Sequence, residues 1–178
     1  AHVDTLGGMV AEIKSNGRLR LTKVGGLNAN NIETENCRVY TLDGKVYEGT
    51  VQLTDASIHV NGDYQKSERT FDSVEVLLDE KVSTKEEVKA LGIENGSFVC
   101  MDPRTHITES GYIKSRFLDD KLSAAMLLAL AKEIKDNNRT LKRKVYLHFT
   151  VYEEVGHGAS ASVPSDAEEL ISVCLLYT

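Results

Sequence analysis

Long apolar runs, paired cysteines and dense positive charge are all scarce in this 178-residue chain. The most apolar stretch, 118–134, is broken by Asp119, Asp120, Lys121, Lys132 and Glu133. No segment therefore reaches the roughly 20 apolar residues that a membrane span requires. None of these residues has the pattern of a secretory signal, so secretion is not expected. Cys37, Cys100 and Cys174 are odd in number and form no CxxC pair, which argues against a disulfide framework and for a reducing compartment, the cytoplasm. The formal charge is -6, and the one dense basic run, Lys142-Arg143-Lys144, is short enough to be a solvated strand entrance. Neither suits a phosphate backbone, so nucleic acid and membrane are not expected partners. No internal repeat or low-complexity tract is found.

The remaining composition, 41% hydrophobic and 27% charged, is that of a globular chain able to bury one good core or two small ones. Its pattern changes along the length. From Gly7 to about Ile113 short alternating runs dominate, among them Arg18-Leu19-Arg20-Leu21-Thr22 and Cys37-Arg38-Val39-Tyr40-Thr41. Leu42-Asp43-Gly44-Lys45 predicts a hairpin, because Gly tolerates the positive φ of a tight turn matched to strand twist. Thr84 and Glu87 have capping-box spacing and predict one short helix, which Gly92 and Gly96 stop. This part reads as a compact β module.

From Leu118 onward the pattern becomes α/β. Residues 119–135 carry an apolar face from Leu122, Ala125, Met126, Ala129, Leu130 and Ile134, which predicts a core-facing helix with Asp119 and Asp120 favouring its positive start. Residues 144–152 alternate and predict a sheet strand with Glu153-Glu154 at its carboxyl end, where open α/β sheets place ligand sites. A further short helix over 164–170 and a second strand over 171–177 follow from the same reading. Both ends look cut. Residue 1 is Ala rather than Met with a candidate ligand next to it, and the last apolar run stops with nothing to cover it, so further chain is expected on either side.

Three groups of chemistry-bearing residues stand far apart: His2-Val3-Asp4, Asp119-Asp120 and Glu153-Glu154. Imidazole nitrogen with carboxylate oxygen is the donor mixture that suits zinc, cobalt or manganese, and a spare carboxylate can act as general base. Each motif alone is weak: His-x-Asp is common on surfaces, and paired Asp at a helix start usually serves the helix. In order and together, they predict a metal-dependent hydrolase. His59, His106 and His148 are read as having no site role, and His157 as either a substrate-facing group or a turn histidine with no ligand role.

Ala1-His2-Val3-Asp4, then 109–121 from Glu109-Ser110-Gly111-Tyr112 to Asp119-Asp120-Lys121, then Glu153-Glu154-Val155-Gly156-His157-Gly158 resemble the dinuclear metallo-aminopeptidases of the glutamyl aminopeptidase family. Some members of that family are labelled endoglucanase, and the best known form hollow tetrahedral particles. The resemblance spans nearly the whole chain. It implies an α/β fold: part of a zinc-exopeptidase-like mixed sheet, with an inserted β-rich lid or dimerisation domain, barrel-like or PDZ-like. The implied domains are 1–6 and 114–178 for the catalytic part and 7–113 for the insert. It further implies two divalent ions, zinc or cobalt, held by His2, by a bridging Asp119 and by Glu154. Glu153 would be the general base, Asp4 would orient His2, and Asp120 would support Asp119 through a cis peptide. Short peptides would be the substrates and a homo-oligomer the assembly.

The departures are equally specific. The family places an aspartate at the end of the strand after Glu-Glu and a histidine much later; here Cys174 stands at the first position and no later histidine exists. A thiolate can bind zinc, but the residues around Cys174 do not resemble the family, which reads as a truncated or altered frame. Each ion would keep about two protein ligands, fewer than catalytic zinc usually has. An alternative function follows: a catalytically inactive fragment acting through its β domain in oligomerisation.

Overall fold

The computed structural model describes residues 1–175, which fold as two compact units: Leu6–Pro103, and Ala1–Thr5 together with the chain from Arg104 on. The first unit is a closed antiparallel barrel of six strands. These are β1 (Gly7–Ile13), β2 (Leu19–Val24), β3 (Asn36–Tyr40), β4 (Val46–Leu53), β5 (Val74–Leu78) and β6 (Phe98–Met101). They run around the barrel in the order β1-β2-β5-β4-β3-β6, with β6 returning to β1. Closure leaves no sheet edge to pair with another chain.

The period of two seen in the sequence places the barrel core. Val10, Ile13, Leu19, Leu21, Val39, Val51, Val74, Val76 and Val99 are buried, whereas Arg20 and Arg38 between them are not. The expected hairpin joins β3 to β4: Tyr40 pairs with Val46, the Thr41 N–H donates to the Lys45 carbonyl at 3.0 Å, and Gly44 takes φ +87°. The expected capping box also forms. Helix α1 (Lys85–Ala90) starts behind Thr84, whose hydroxyl accepts from the Glu87 N–H while the Glu87 carboxylate accepts from the Thr84 N–H. One acid lies inside the barrel wall: Glu75 is buried and holds Lys14 at 2.7 Å and Arg18 at 2.5 Å, which supplies the pairing that a buried carboxylate requires.

The second unit contains a small hairpin of β7 (His106–Ile107) and β8 (Ile113–Lys114), followed by helix α2 (Leu118–Asp136). Three expectations fail here. The segment 144–152 forms no ladder; its only β-type pairing among the described residues is a single parallel bridge from Thr150 to His2. Alternation describes a strand's faces but cannot provide the neighbour that a ladder needs. The helix expected over 164–170 is a turn, with the Ala167 N–H donating to the Pro164 carbonyl at 3.1 Å. Residues 171–175 carry no strand, and the remainder of that expected strand lies outside the described residues.

Helix α2 forms where its period predicts, yet its apolar face is not in a core. Met126 and Leu130 are 58% and 48% exposed, and the buried members are Asp120, Ser123 and Ala124 at the start. Periodicity reports that a face is apolar; burial requires an element packed against it, and none of the described elements covers this one. Asp119 and Asp120 also depart from the expected helical start. Their backbones are non-helical (φ -75°, ψ 116° and φ -117°, ψ 26°) and the peptide between them is cis. They therefore stand before the first regular turn and not within it.

Candidate functional site

The second unit brings its separated motifs to one place. Residues 1–3 lie beside Thr150: the Val3 N–H donates to the Thr150 carbonyl at 3.0 Å, and the Thr150 N–H donates to the Ala1 carbonyl at 3.1 Å. Two residues later Tyr152 takes a left-handed conformation (φ 88°), and the chain turns into a single 3-10 turn over Glu153–Val155. The turn continues through Gly156 to Gly158, where a Cβ would stand 2.5 Å from the Val151 carbonyl oxygen, so no larger residue fits without movement. The result sets Glu153 and Glu154 over Asp4. The Glu153 N–H donates to Asp4 Oδ1 at 3.3 Å and the Glu154 N–H donates to Asp4 Oδ2 at 3.1 Å.

His2 lies at the centre and is only 3% exposed. Its Nδ1 is 3.2 Å from Asp4 Oδ1, an ionic approach whose angle is not that of a hydrogen bond. Its Nε2 faces Asp119 Oδ1 at 3.2 Å and Glu153 Oε2 at 3.5 Å. Its backbone N–H donates to Asp120 Oδ2 at 3.2 Å. Asp120 is fully buried, and its Oδ1 makes no hydrogen bond among the described residues. Asp119, by contrast, is half exposed, with its carboxylate between His2 and Cys174; Cys174 Sγ lies 3.8 Å from Asp119 Oδ1.

Negative charge dominates this cluster, and the proton affinities reflect it. Burial lowers the affinity of the His2 imidazole, but Glu153, Asp4 and Asp119 outweigh it and raise its pKa above the ordinary value. Burial works to raise that of Asp4, yet the Glu154 and Glu153 N–H groups and His2 hold it below the usual carboxylate range. Glu154 is raised, first by burial and then by the like charges of Glu153, Asp119 and Asp4, against the pull of His2. The Cys174 thiol is raised by burial and by Asp119, Asp120 and Glu153. A cation placed among these acids would relieve their mutual repulsion.

The donor set fits a divalent metal. His2, Asp119 and Cys174 each offer an atom, and all three atoms lie within 4.8 Å of one another. Nitrogen, carboxylate oxygen and thiolate sulfur are the ligands zinc takes. Four of the sequence-derived site residues, His2, Asp4, Asp119 and Glu153, are thus joined by direct contacts. Glu154 approaches through its backbone N–H on Asp4, while the acid whose carboxylate reaches the His2 ring is Glu153. The proximity of Cys174 to Asp119, 55 residues apart in the chain, agrees with its place at the position where the resemblance expects a site aspartate. Of the remaining histidines, His59, His106 and His157 are exposed and none belongs to the three-donor group.

Residues 1–175 match the family model described as M42 glutamyl aminopeptidase, and the chain belongs to that family. It is 44% identical over 173 residues to Putative aminopeptidase YhfE of Bacillus subtilis (strain 168), a match covering 97% of this chain and 50% of that protein. With Lysyl aminopeptidase of Pyrococcus furiosus it shares 25% identity over 157 residues, 88% of this chain and 43% of that one. The Pyrococcus horikoshii TET1 peptidase, a solved structure described as able to assemble into a tetrahedron or a large octahedral shell, superposes with a TM-score of 0.71 at 30% identity. That match covers 88% of this chain and 45% of the other. The chain spans about half the length of the curated relatives it matches.

Proposed function

We propose that the site serves an aminopeptidase that hydrolyses the amino-terminal residue of short peptides with two divalent ions, zinc or cobalt. The observation that carries this reading is the meeting of His2, Asp4, Asp119 and Glu153, drawn from three distant segments, around one buried imidazole. Membership of the aminopeptidase family supports it.

His2, Asp119 and Glu154 would hold the ions, with Asp119 shared between them. Bound divalent ions supply Lewis-acid polarisation of a scissile carbonyl and make water nucleophilic at neutral pH. Asp4 fixes the ring of His2 through its contact with Nδ1 and ties the Glu153-Glu154 turn to it through two N–H groups. Glu153 receives the proton of the attacking water on its carboxylate and returns it to the leaving amine. Its half-exposed carboxylate, 3.5 Å from His2 Nε2, supports that role.

The same reading assigns residues 1–6 and 114–178 to a zinc-exopeptidase-like mixed sheet, and residues 7–113 to a lid or dimerisation insert of a cytoplasmic homo-oligomer. The closed barrel, with a core of its own, supports an autonomous insert.

Elemental analysis after dialysis against zinc or cobalt, with release of amino-terminal residues from chromogenic amides, tests the reading. Wild type should hold about two ions and lose activity to a chelator. Glu153→Gln should retain metal while activity falls by about 100- to 10,000-fold, the usual worth of a general base. A wild-type chain that binds no metal and releases no residue would leave only barrel-mediated association.

A further inference from the structure

Cys174 is the one donor of the cluster that the hydrolytic mechanism does not use, and it stands where the family pattern expects an aspartate. Around a tetrahedral ion with bonds of about 2.0–2.2 Å to nitrogen and oxygen and about 2.3 Å to sulfur, neighbouring donors sit roughly 3.3–3.6 Å apart. His2 Nε2 and Asp119 Oδ1 are 3.2 Å apart, Cys174 Sγ and Asp119 Oδ1 are 3.8 Å apart, and no pair among the three exceeds 4.8 Å. Closing the triangle on one ion requires no pair to shorten by more than about 1.5 Å, within the reach of a side-chain adjustment. The imidazole is buried with no hydrogen bond on Nδ1, and Asp120 Oδ1 is buried without one, so the surroundings are already desolvated for a charged group.

We propose that Cys174 is a thiolate ligand that completes a His2, Asp119 and Cys174 site and makes this chain selective for zinc over harder ions such as manganese or magnesium. This rests on the metal reading above and goes beyond it by naming a sulfur donor and the selectivity that follows. Soft thiolate favours zinc, whereas an oxygen donor at the same place discriminates less strongly against manganese or magnesium. On binding, a sulfur–metal bond forms and the thiol proton passes to solvent; no oxidant or reductant takes part.

Cobalt titration of the metal-free full chain tests the proposal, because a thiolate bound to cobalt gives a near-ultraviolet charge-transfer band that nitrogen and oxygen donors do not. The band is expected in wild type and should vanish in Cys174→Ser and Cys174→Asp, with Cys174→Asp still showing the visible bands of bound cobalt. A second readout needs no variant: zinc should slow alkylation of Cys174 by at least about tenfold, read by mass spectrometry on its own peptide. Cys37, buried in the barrel with its thiol pushed up to about 12 by burial, should stay unreacted throughout. Cobalt bound without the band, or a band that persists in Cys174→Ser, or alkylation unchanged by zinc, overturns the thiolate ligand while leaving the metal reading standing. Absence of any cobalt or zinc binding overturns both.

Discussion

Asp4 holds His2 from behind: its Oδ1 is 3.2 Å from Nδ1 of the buried imidazole, while the same carboxylate accepts the backbone N–H groups of Glu153 and Glu154. One side chain thus orients the ring and anchors the turn carrying the two acids, across a separation of about 150 residues. Asp4→Asn keeps the shape but replaces one acceptor oxygen by a donor and removes the charge. Zinc affinity should fall roughly 10- to 100-fold, the usual cost of losing the partner behind a metal-bound histidine. Competition against a chelating indicator measures it, and unchanged affinity would show that Asp4 does not position the ring.

The barrel should depend on single core side chains. Leu19 is fully buried in β2, where it pairs in register with Ile13 of β1 and Val76 of β5. Leu19→Ala removes apolar volume from a closed space with little room to collapse, and about 2–5 kcal/mol of stability should be lost. Urea denaturation followed by circular dichroism checks this. A loss well below about 1 kcal/mol would contradict a packed barrel interior at this position.

Acid should weaken the cluster of Glu33, Tyr64 and Arg69. The Arg69 guanidinium, hydrogen-bonded to Glu33 at 2.7 Å, holds the Glu33 carboxyl below its ordinary range, partial burial opposes it, and the Tyr64 hydroxyl at 2.7 Å adds to the lowering. The unfolded chain therefore binds this proton more readily than the folded one. The contribution is complete above the unfolded value of about 4.3 and disappears as pH falls through the lower folded value. Thermal midpoints of wild type and Glu33→Gln should differ above about pH 5 and converge as the pH falls through the lower folded value. A difference independent of pH would remove ionic pairing as its cause.

Features made by neighbours in the chain were legible in advance. The Leu42-Asp43-Gly44-Lys45 turn and the Thr84 and Glu87 cap each close within a few residues, so residue type alone settles their geometry. The alternating barrel strands were also readable, because burial on one face selects a period of two. Alternation in 144–152 misled: the same pattern produces a ladder in β2, which has strands on both sides, and only a single bridge at Thr150. Periodicity in α2 likewise marked an apolar face correctly and its burial wrongly, as Met126 and Leu130 show.

Sequence by itself determined the identity and order of the candidate site residues, His2 and Asp4, then Asp119 and Asp120, then Glu153 and Glu154, and with them the family. Tertiary structure alone decided which member of each pair faces the imidazole. It set Asp119 and Glu153 against Nε2, drew Asp120 to the His2 backbone, turned the Glu154 N–H to Asp4, and brought the Cys174 thiol to 3.8 Å from Asp119. The physical reason is that adjacent residues share composition and position but not direction. A left-handed residue at Tyr152 and non-helical backbone at Asp119 and Asp120 rotate neighbouring side chains apart, and those angles are set by contacts with segments more than a hundred residues away.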